Sequence, residues 1–263
     1  MKQTLATKII TTLLGFVMSV GVFASDNSIY IDQTGDNATI SITQDGTGNI
    51  VRGIQGTGTS NTTPAGIYGD GNEVTVNQVG SGNVLNMGIN RGTGTGTTGN
   101  TVTYSVTGNN ATGTINLNNA NTSTASGNTV NITQSGNTAG ANVNIQGDDN
   151  SVTVNTAGGA NNTFTGAVTG NTNTQNISLT GGGGNTASVT QTGDGNTATI
   201  TAVGASNSFT VSQADGGHTA SITQTGSSNT FSVTQQGSTA GNVFNYTSTS
   251  GSGNSVTINQ HAR

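Results

Sequence analysis

The chain of 263 residues has no cysteine, no tryptophan and one proline, and only 6% of its residues are charged and 4% aromatic. An ordinary soluble domain has roughly 25% charged residues. The hydrophobic share of 29% is too small for a conventional globular core. A disordered chain would be richer in proline, lysine and glutamate. The abundant residues are glycine, asparagine, threonine and serine, which are weak helix formers, so the composition argues against a coiled coil and against an ordinary enzyme core.

Residues 1–24 have the pattern of a secretory signal peptide. Lys2 and Lys8 provide positive charge, residues 9–23 are almost entirely apolar, and Val22 and Ala24 place small residues where signal peptidase reads them. The apolar run is shorter than the ~20 residues of a membrane span. We therefore expect cleavage after Ala24 and a secreted chain with no transmembrane segment. Because it has no cysteine, disulfides cannot hold its fold together.

Cleavage would leave an acidic chain. Only Arg52, Arg91 and Arg263 would remain as basic residues with permanent charge, against all ten aspartates and glutamates. Three scattered arginines cannot form the basic surface that binds nucleic acid or anionic lipid. We expect no nucleic-acid partner.

An 11-residue repeat organises the sequence, and such repeats are typical of stacked architectures. The clearest run has units that begin at Asn185, Asn196, Asn207, His218 and Asn229. If the first residue of a unit is position zero, positions two and four are apolar, position six is usually glutamine, and position eight is usually glycine. Odd positions are nearly all threonine or serine. Because side chains alternate along a strand, the pattern predicts a strand with one inward face, followed by a turn.

The same 11-residue pattern recurs elsewhere in the chain, although the spacing between groups of units is not always a multiple of 11. Further units begin at Asn27, Ala38, Asn49, Asn72, Asn83, Asn128, Ala139, Asn150, Asn161, Asn242 and Asn254. Segments 50–71, 84–99 and 162–184 are longer and irregular, and we interpret them as loop insertions or degenerate units. Pro64 falls in the first of them, as expected for a residue that cannot join a central strand. The expected organisation is a signal peptide over 1–24 and one repeat domain over 25–263.

Two such units make one coil, about 22 residues long, and about eight to ten coils fit the chain. The expected fold is therefore all-β, an amyloid-like β-solenoid in which equivalent residues stack about 4.8 Å apart. Stacked asparagines and glutamines can form amide ladders, each side chain donating to one neighbour and accepting from the other. Like charges at that spacing would repel, which explains why charged residues are scarce.

The ladder expected in the amyloid core combines the asparagines of position zero with the glutamines of position six. Its members are Asn27, Gln33, Gln44, Asn49, Asn72, Gln78, Asn83, Gln134, Asn150, Asn185, Gln191, Asn196, Asn207, Gln213, Gln224, Asn229, Gln235, Asn254 and Gln260. His218 occupies a slot that asparagine fills elsewhere, and we interpret it as a substitute in the ladder.

The repeat resembles a known motif. Residues 191–198 read Gln-Thr-Gly-Asp-Gly-Asn-Thr-Ala, which fits the pattern Gln-x-Gly-x-x-Asn-x-Ala of the curlin repeat. Residues 44–49, 78–83 and 224–229 match its first half, and the closing segment 255–263 is similar in style to nucleator-type curli subunits. The chain thus resembles the curlin family, as a major or nucleator-type subunit.

This resemblance implies a function. Curlins are exported subunits that polymerise on the outer surface of Gram-negative bacteria into amyloid fimbriae, which serve cell adhesion and the biofilm matrix. It implies a homopolymer as the main partner, with a second curlin-type subunit and an outer-membrane secretion pore as further partners. It gives the Gln and Asn residues of the motif a role in the amyloid core and not in chemistry.

Two other classes of function were weighed against a fibre subunit. A soluble β-solenoid could bind a regular surface, ice or polysaccharide, through Thr-x-Thr rows, although threonine and serine are mixed in these rows. A β-solenoid enzyme acting on carbohydrate would need acidic residues clustered on one face, and the ten acids are scattered. No catalytic grouping or metal-ligand spacing is evident, so we expect a non-enzyme with no catalytic residues, no metal and no cofactor.

Overall fold

Runs of threonine, serine and β-branched residues form the strands of this protein, and the glycine-rich breaks form its turns. The computed structural model describes residues 20–22, 26–54, 62–89, 99–117, 126–237 and 241–261, and it places no helix in them. The strands in chain order are β1 (Val20–Val22), β2 (Ser28–Ile29), β3 (Ile31–Thr34), β4 (Thr39–Asp45), β5 (Ile50–Gly53), β6 (Ala65–Tyr68), β7 (Glu73–Val79), β8 (Val84–Ile89), β9 (Thr101–Thr107), β10 (Thr112–Leu117), β11 (Thr129–Ser135), β12 (Gly140–Gln146), β13 (Ser151–Thr156), β14 (Thr163–Thr169), β15 (Thr174–Thr180), β16 (Thr186–Thr192), β17 (Thr197–Val203), β18 (Ser208–Ala214), β19 (Thr219–Thr225), β20 (Thr230–Gln236), β21 (Val243–Ser248) and β22 (Ser255–His261).

Successive strands alternate between two parallel sheets. The first sheet has the order β1-β4-β7-β9-β11-β13-β15-β17-β19-β21, and the second has β2-β5-β8-β10-β12-β14-β16-β18-β20-β22, with β3 and β6 beside them. One strand from each sheet makes a coil, and nine coils follow one another from β4 to β22. This architecture confirms the predicted β-solenoid.

The register brings equivalent positions of the repeat together. Thr186 pairs with Ser208 and Ser208 with Thr230, so equivalent positions of successive coils lie 22 apart in this region. Other coils are longer: Thr101 pairs with Thr129, and Glu73 with Thr101, which is a spacing of 28. The described strands stay in phase across these longer coils.

The core lies between the two sheets and is thin. Positions two and four supply it, and their side chains are buried throughout the clearest run, from Ala187 to Val233. Aromatic rings also stack along the axis: the ring centroids of Phe209 and Phe231 lie 5.2 Å apart with an interplanar angle of 7°. Threonine and serine occupy the outward positions. The inward and outward faces are therefore those that the alternation predicts.

The three irregular segments differ in structure. In the first, β8 pairs with β5 through Val84 and with β6 through Ile89, so residues 54–64 interrupt a single strand of the second sheet. In the second, residues 84–89 form β8, and residues 90–98 lie outside the described part of the chain. The third contains two regular strands, β14 and β15.

One position of the repeat was placed wrongly from the sequence. The 11-residue step from Asn150 predicts Asn161 as the next inward asparagine, but Asn161 is exposed with φ 60°, and Asn162 is fully buried. The turn after β13 holds an additional residue, which shifts the phase by one. A strict count cannot detect this because both residues are asparagine.

Candidate functional site

The inward asparagines that precede most of the strands form two columns of hydrogen bonds. Asn207 shows the arrangement. Its Nδ2 donates to Oδ1 of Asn185 at 3.0 Å and to the carbonyl of Gly226 at 2.9 Å. Its Oδ1 accepts the backbone N–H of Asn229 at 3.0 Å and Nδ2 of Asn229 at 2.9 Å. Both amide hydrogens and the carbonyl oxygen are thus used inside a core where unpaired polar atoms are costly.

These columns join coils through the backbone as well as through side chains. Each Oδ1 accepts a main-chain N–H of the following coil, as Asn185 accepts the N–H of Asn207 at 3.0 Å. A stack of asparagine side chains therefore also ties the start of each strand to the coil before it. The sequence predicts amide-to-amide bonds but not this second bond.

The first sheet has the longer unbroken column. Its members are Asn72, Asn100, Asn128, Asn150, Asn173, Asn196, His218 and Asn242. The column of the second sheet comprises Asn27, Asn49, Asn83, Asn162, Asn185, Asn207, Asn229 and Asn254, with Ala111 and Ala139 in the slots between Asn83 and Asn162. The predicted asparagines Asn27, Asn49, Asn72, Asn83, Asn150, Asn185, Asn196, Asn207, Asn229 and Asn254 all lie in one of these two columns.

Four buried asparagines in the columns are missing from the predicted set: Asn100, Asn128, Asn162 and Asn173. Asn128 is the predicted start of a unit but not a member of the expected ladder, whereas Asn100 follows a segment that breaks the 11-residue spacing, so counting alone does not reach Asn100. A usable signal exists, since each directly precedes a strand of alternating residues and follows a glycine or another turn residue. For Asn173 the preceding turn even has the Gly-x-x-Asn spacing of the motif, from Gly170.

The glutamine ladder is shorter than expected. In the second sheet Gln191 donates to Gln213 at 2.9 Å, Gln213 to Gln235 at 2.9 Å, and Gln235 to Gln260 at 2.7 Å. The Nε2 of Gln213 also reaches across the core to the carbonyl of Thr197 at 2.9 Å, which links the two sheets. In the first sheet only one such pair occurs among the described residues, Gln44 with Gln78 at 2.8 Å.

Three predicted glutamines have no glutamine beside them in the described strands. Gln33 pairs with Ile67, Gln134 stands between Val106 and Thr156, and Gln224 stands between Ala202 and Ser248. Their amides bond to backbone carbonyls instead, as Gln224 does to Thr225 at 2.7 Å. The Oε1 atoms of Gln134 and Gln224 are buried without a hydrogen-bond partner. The residue at position six thus varies between coils, because either an apolar side chain or a glutamine can occupy that place in the core.

Stacked glycines set the turns of the columns. Gly204 has φ +134° and Gly226 has φ +122°, which L-residues with a side chain rarely adopt. A Cβ on Gly204 would meet the carbonyl of Gly226 in the next coil, and that carbonyl is the acceptor for Asn207. The glycine at position eight is therefore needed so that the asparagine at position zero can form its bonds.

The two ends of the solenoid present open coils. In the last coil, Phe244, Tyr246, Val256 and Ile258 face inward but are only partly buried. In the first coil, Ile29 and Ile31 are also partly buried against the core. Among the described residues, the outer strand edges at both ends have no neighbour, apart from the edge of β4, beside which β1 lies.

Most of the predicted signal peptide lies outside the described residues. Residues 1–19 and 23–25 are not described, and within 1–24 only Val20–Val22 is assigned, as β1 paired with β4. Cleavage after Ala24 therefore stays a prediction. Within the described part of the chain, no helix is long and apolar enough to cross a membrane.

Comparison with known proteins identifies part of this repeat. The family described as curlin associated repeat matches residues 182–214 and 216–237, which cover β16 to β20. No curated protein and no solved structure matches the chain. The match confirms the resemblance drawn from the sequence and falls on the region where the asparagine and glutamine columns of the second sheet are both complete.

Proposed function

With curlin associated repeats over residues 182–214 and 216–237 as the premise, we propose that the mature chain is a structural subunit of an extracellular curli-like amyloid fimbria. The subunit adds end to end, so that the two sheets continue from one molecule into the next. In this role it serves cell adhesion and the biofilm matrix of a Gram-negative bacterium, without catalysis. A second curlin-type subunit and an outer-membrane secretion pore are its further partners.

The observation that carries this proposal is the match between the two ends of the second sheet. The inward residues of the last strand of the second sheet are Asn254, Val256, Ile258 and Gln260, and those of the first coil are Asn27, Ile29, Ile31 and Gln33. At every position an amide meets an amide and an aliphatic residue meets an aliphatic residue. The pairing between two copies would therefore repeat the pairing between β20 and β22 inside one copy.

Unpaired edges of parallel strands recruit further strands, and burial of the partly exposed apolar residues at the ends favours the addition. Gln260 already accepts from Gln235 and donates to Val243, and its second amide hydrogen would be available to Gln33 of the next copy. Removal of residues 1–24 would also remove β1 from β4, which opens the edge of the first sheet at the other end.

The rows of outward residues give less support to a soluble surface-binding solenoid. Along one row of the first sheet, Thr103, Asn131, Thr153, Asn176 and Thr199 are neighbours in register. Asparagine thus interrupts the threonine every second coil. A surface that matches ice needs a more uniform row.

The proposal is tested with one charge placed on the open end. In mature chain 25–263, Ile258→Lys puts an ammonium group on the inward face of the last strand, whereas Thr257→Lys puts it on the outward face one residue away. With wild-type seeds, dye fluorescence should show elongation by the Thr257→Lys chain at nearly the wild-type rate and by Ile258→Lys at a small fraction of it. Fibre diffraction should show a reflection at about 4.8 Å.

Equal elongation by the two variants would refute growth through the open end, and a wild-type chain that stays monomeric with its own seeds would refute the fibre itself. Replacement of Gln224, Asn229 and Gln235 by alanine should likewise abolish seeding. The adhesive role is tested separately: cells that export the wild-type chain should attach to surfaces and bind the dye more strongly than cells that export Ile258→Lys.

A further inference from the structure

His218 is the one histidine in the two columns, and it is fully buried. Its backbone N–H donates to Oδ1 of Asn196 at 3.1 Å, as an asparagine in that slot does. Its Nδ1 lies 3.0 Å from the backbone nitrogen of Asn242 and accepts that N–H. Its Nε2 lies 2.7 Å from the carbonyl of Ala214. The imidazole therefore takes over the acceptor and donor roles of the amide.

These contacts fix the protonation state of the ring. Because Nδ1 accepts a hydrogen bond from a main-chain N–H, it carries no proton, and because Nε2 faces a carbonyl, it carries the only one. The ring is thus neutral and in the Nε2–H tautomer. An asparagine keeps its acceptor at every pH, whereas a protonated imidazole has two donors and no acceptor.

The site of this contact is the junction with the last coil. Asn242 directly precedes β21, and β21 packs on β19, which begins one residue after His218. The neighbours of the ring in its own column, Asn196 and Asn242, are uncharged. The acidic groups near it are Asp215 in its own turn and Asp194 in the turn of the preceding coil.

Both carboxylates are exposed and accept backbone N–H groups: Asp215 from Gly237 at 2.7 Å and Asp194 from Asn171 at 2.6 Å. Solvent screens exposed charges of this kind. They do not replace the acceptor that protonation of the ring removes, so the N–H of Asn242 would face another donor.

We propose that His218 is a pH-sensitive link in the solenoid, which holds the start of β21 at neutral pH and releases it when the ring is protonated. The proposal extends the proposed function, since β21 belongs to the coil that would recruit the next subunit. Acid favours the imidazolium, which cannot accept the N–H of Asn242, so acidification from about pH 7.5 to pH 5 would then loosen the growing end and slow elongation.

The test compares soluble mature chain of wild-type sequence with His218→Asn and, as the matched control, His261→Asn. Asparagine at position 218 restores the residue of the other coils, so this variant should fold. His261 is the only other histidine and is exposed at the end of β22. Hydrogen exchange of the backbone N–H of Asn242 is measured by NMR at pH 7.5 and pH 5. Each rate is divided by the rate of the same N–H in His218→Asn at the same pH, which removes the intrinsic pH dependence of exchange.

On acidification this ratio should rise about tenfold for wild type and for His261→Asn, which corresponds to the loss of one buried hydrogen bond. The ¹⁵N shifts of His218 at pH 7.5 should identify an unprotonated Nδ1. A ratio that does not change, or a protonated Nδ1 at pH 7.5, would overturn the proposal. Both measurements use the monomer, so they remain decisive even if no fibre forms.

Discussion

Replacement of Asn207 by alanine tests the energetic role of the asparagine columns. The change removes four hydrogen bonds, all between 2.9 and 3.0 Å, that the side chain makes to Asn185, Gly226 and Asn229. It leaves the backbone N–H of Asn229 without its acceptor in a fully buried place. A buried hydrogen bond contributes about 1 kcal/mol net, so the expected loss is about 4 kcal/mol for local opening, or roughly a thousandfold in the opening equilibrium.

The matched control is Asn176→Ala. Asn176 has the same side chain but is exposed on the outer face of β15, where substitutions usually change stability by less than about 0.5 kcal/mol. Hydrogen–deuterium exchange of peptides from Ser208–Ala214 and Thr230–Gln236 measures the opening of the coils on both sides of Asn207. We expect much faster exchange in Asn207→Ala and wild-type exchange in Asn176→Ala.

The fold should survive the substitution, because alanine already occupies the same slot at positions 111 and 139 in this chain. The effect is therefore expected as local loosening and not as global unfolding. If the two variants exchange equally slowly in these peptides, the column contributes little to stability and the argument from buried amides is wrong.

Three further outcomes are expected. Gly113→Ala should destabilise the middle coils, because its Cβ would lie 2.5 Å from a ring carbon of Tyr104. Gly140→Ala should be tolerated, since the nearest atom to its Cβ would be 3.4 Å away, and thermal unfolding of the two variants measures the difference. Burial raises the pKa of Tyr104, so stability present at neutral pH should be lost above about pH 10, where the unfolded phenol ionises, and Tyr104→Phe should remove that loss in alkaline unfolding curves. Gln235→Ala should slow seeded elongation, because this buried side chain bonds to the last coil, while Gln236→Ala, on the exposed side of the same strand, should not.

The fold can be predicted from the sequence because the same strand and turn pattern recurs in many units. Alternation of threonine with apolar residues predicts the strands, and a glycine at position eight predicts the turns; the strands form as predicted from β16 to β20. The interruption between β5 and β6 lies inside segment 50–71, which the pattern marks as irregular, but the pattern does not give its bounds, since a strand that resumes after an insertion looks like two short strands.

The site is harder to predict than the fold, because it depends on which residues become neighbours. Gln134 fits position six as well as Gln213 does, yet Gln134 lies between Val106 and Thr156, whereas Gln213 has a glutamine on both sides. The spacing between equivalent positions of successive coils ranges from 22 to 34 residues, and it determines these neighbours. This spacing depends on the number of residues between strands, which no local sequence pattern predicts. The position of a residue in the repeat can therefore be predicted from the nearby sequence. Whether that residue joins a ladder cannot, because this depends on residues of the neighbouring coils.

The hydrogen bonds of the columns run in fixed directions, which makes the ends of the molecule different. In the amide-to-amide bonds of the asparagine columns, Nδ2 donates to Oδ1 of the coil before it, as Asn254 does to Asn229, whereas each ladder glutamine donates to the glutamine of the coil after it, as Gln235 does to Gln260. In the second sheet the last coil thus offers an acceptor at Asn254 and a donor at Gln260, and the first coil offers a donor at Asn27 and an acceptor at Gln33. Two last coils placed face to face would oppose acceptor with acceptor, at the cost of buried unpaired atoms. The column chemistry therefore favours addition of the first coil of one molecule to the last coil of another, and so a fibre of one polarity.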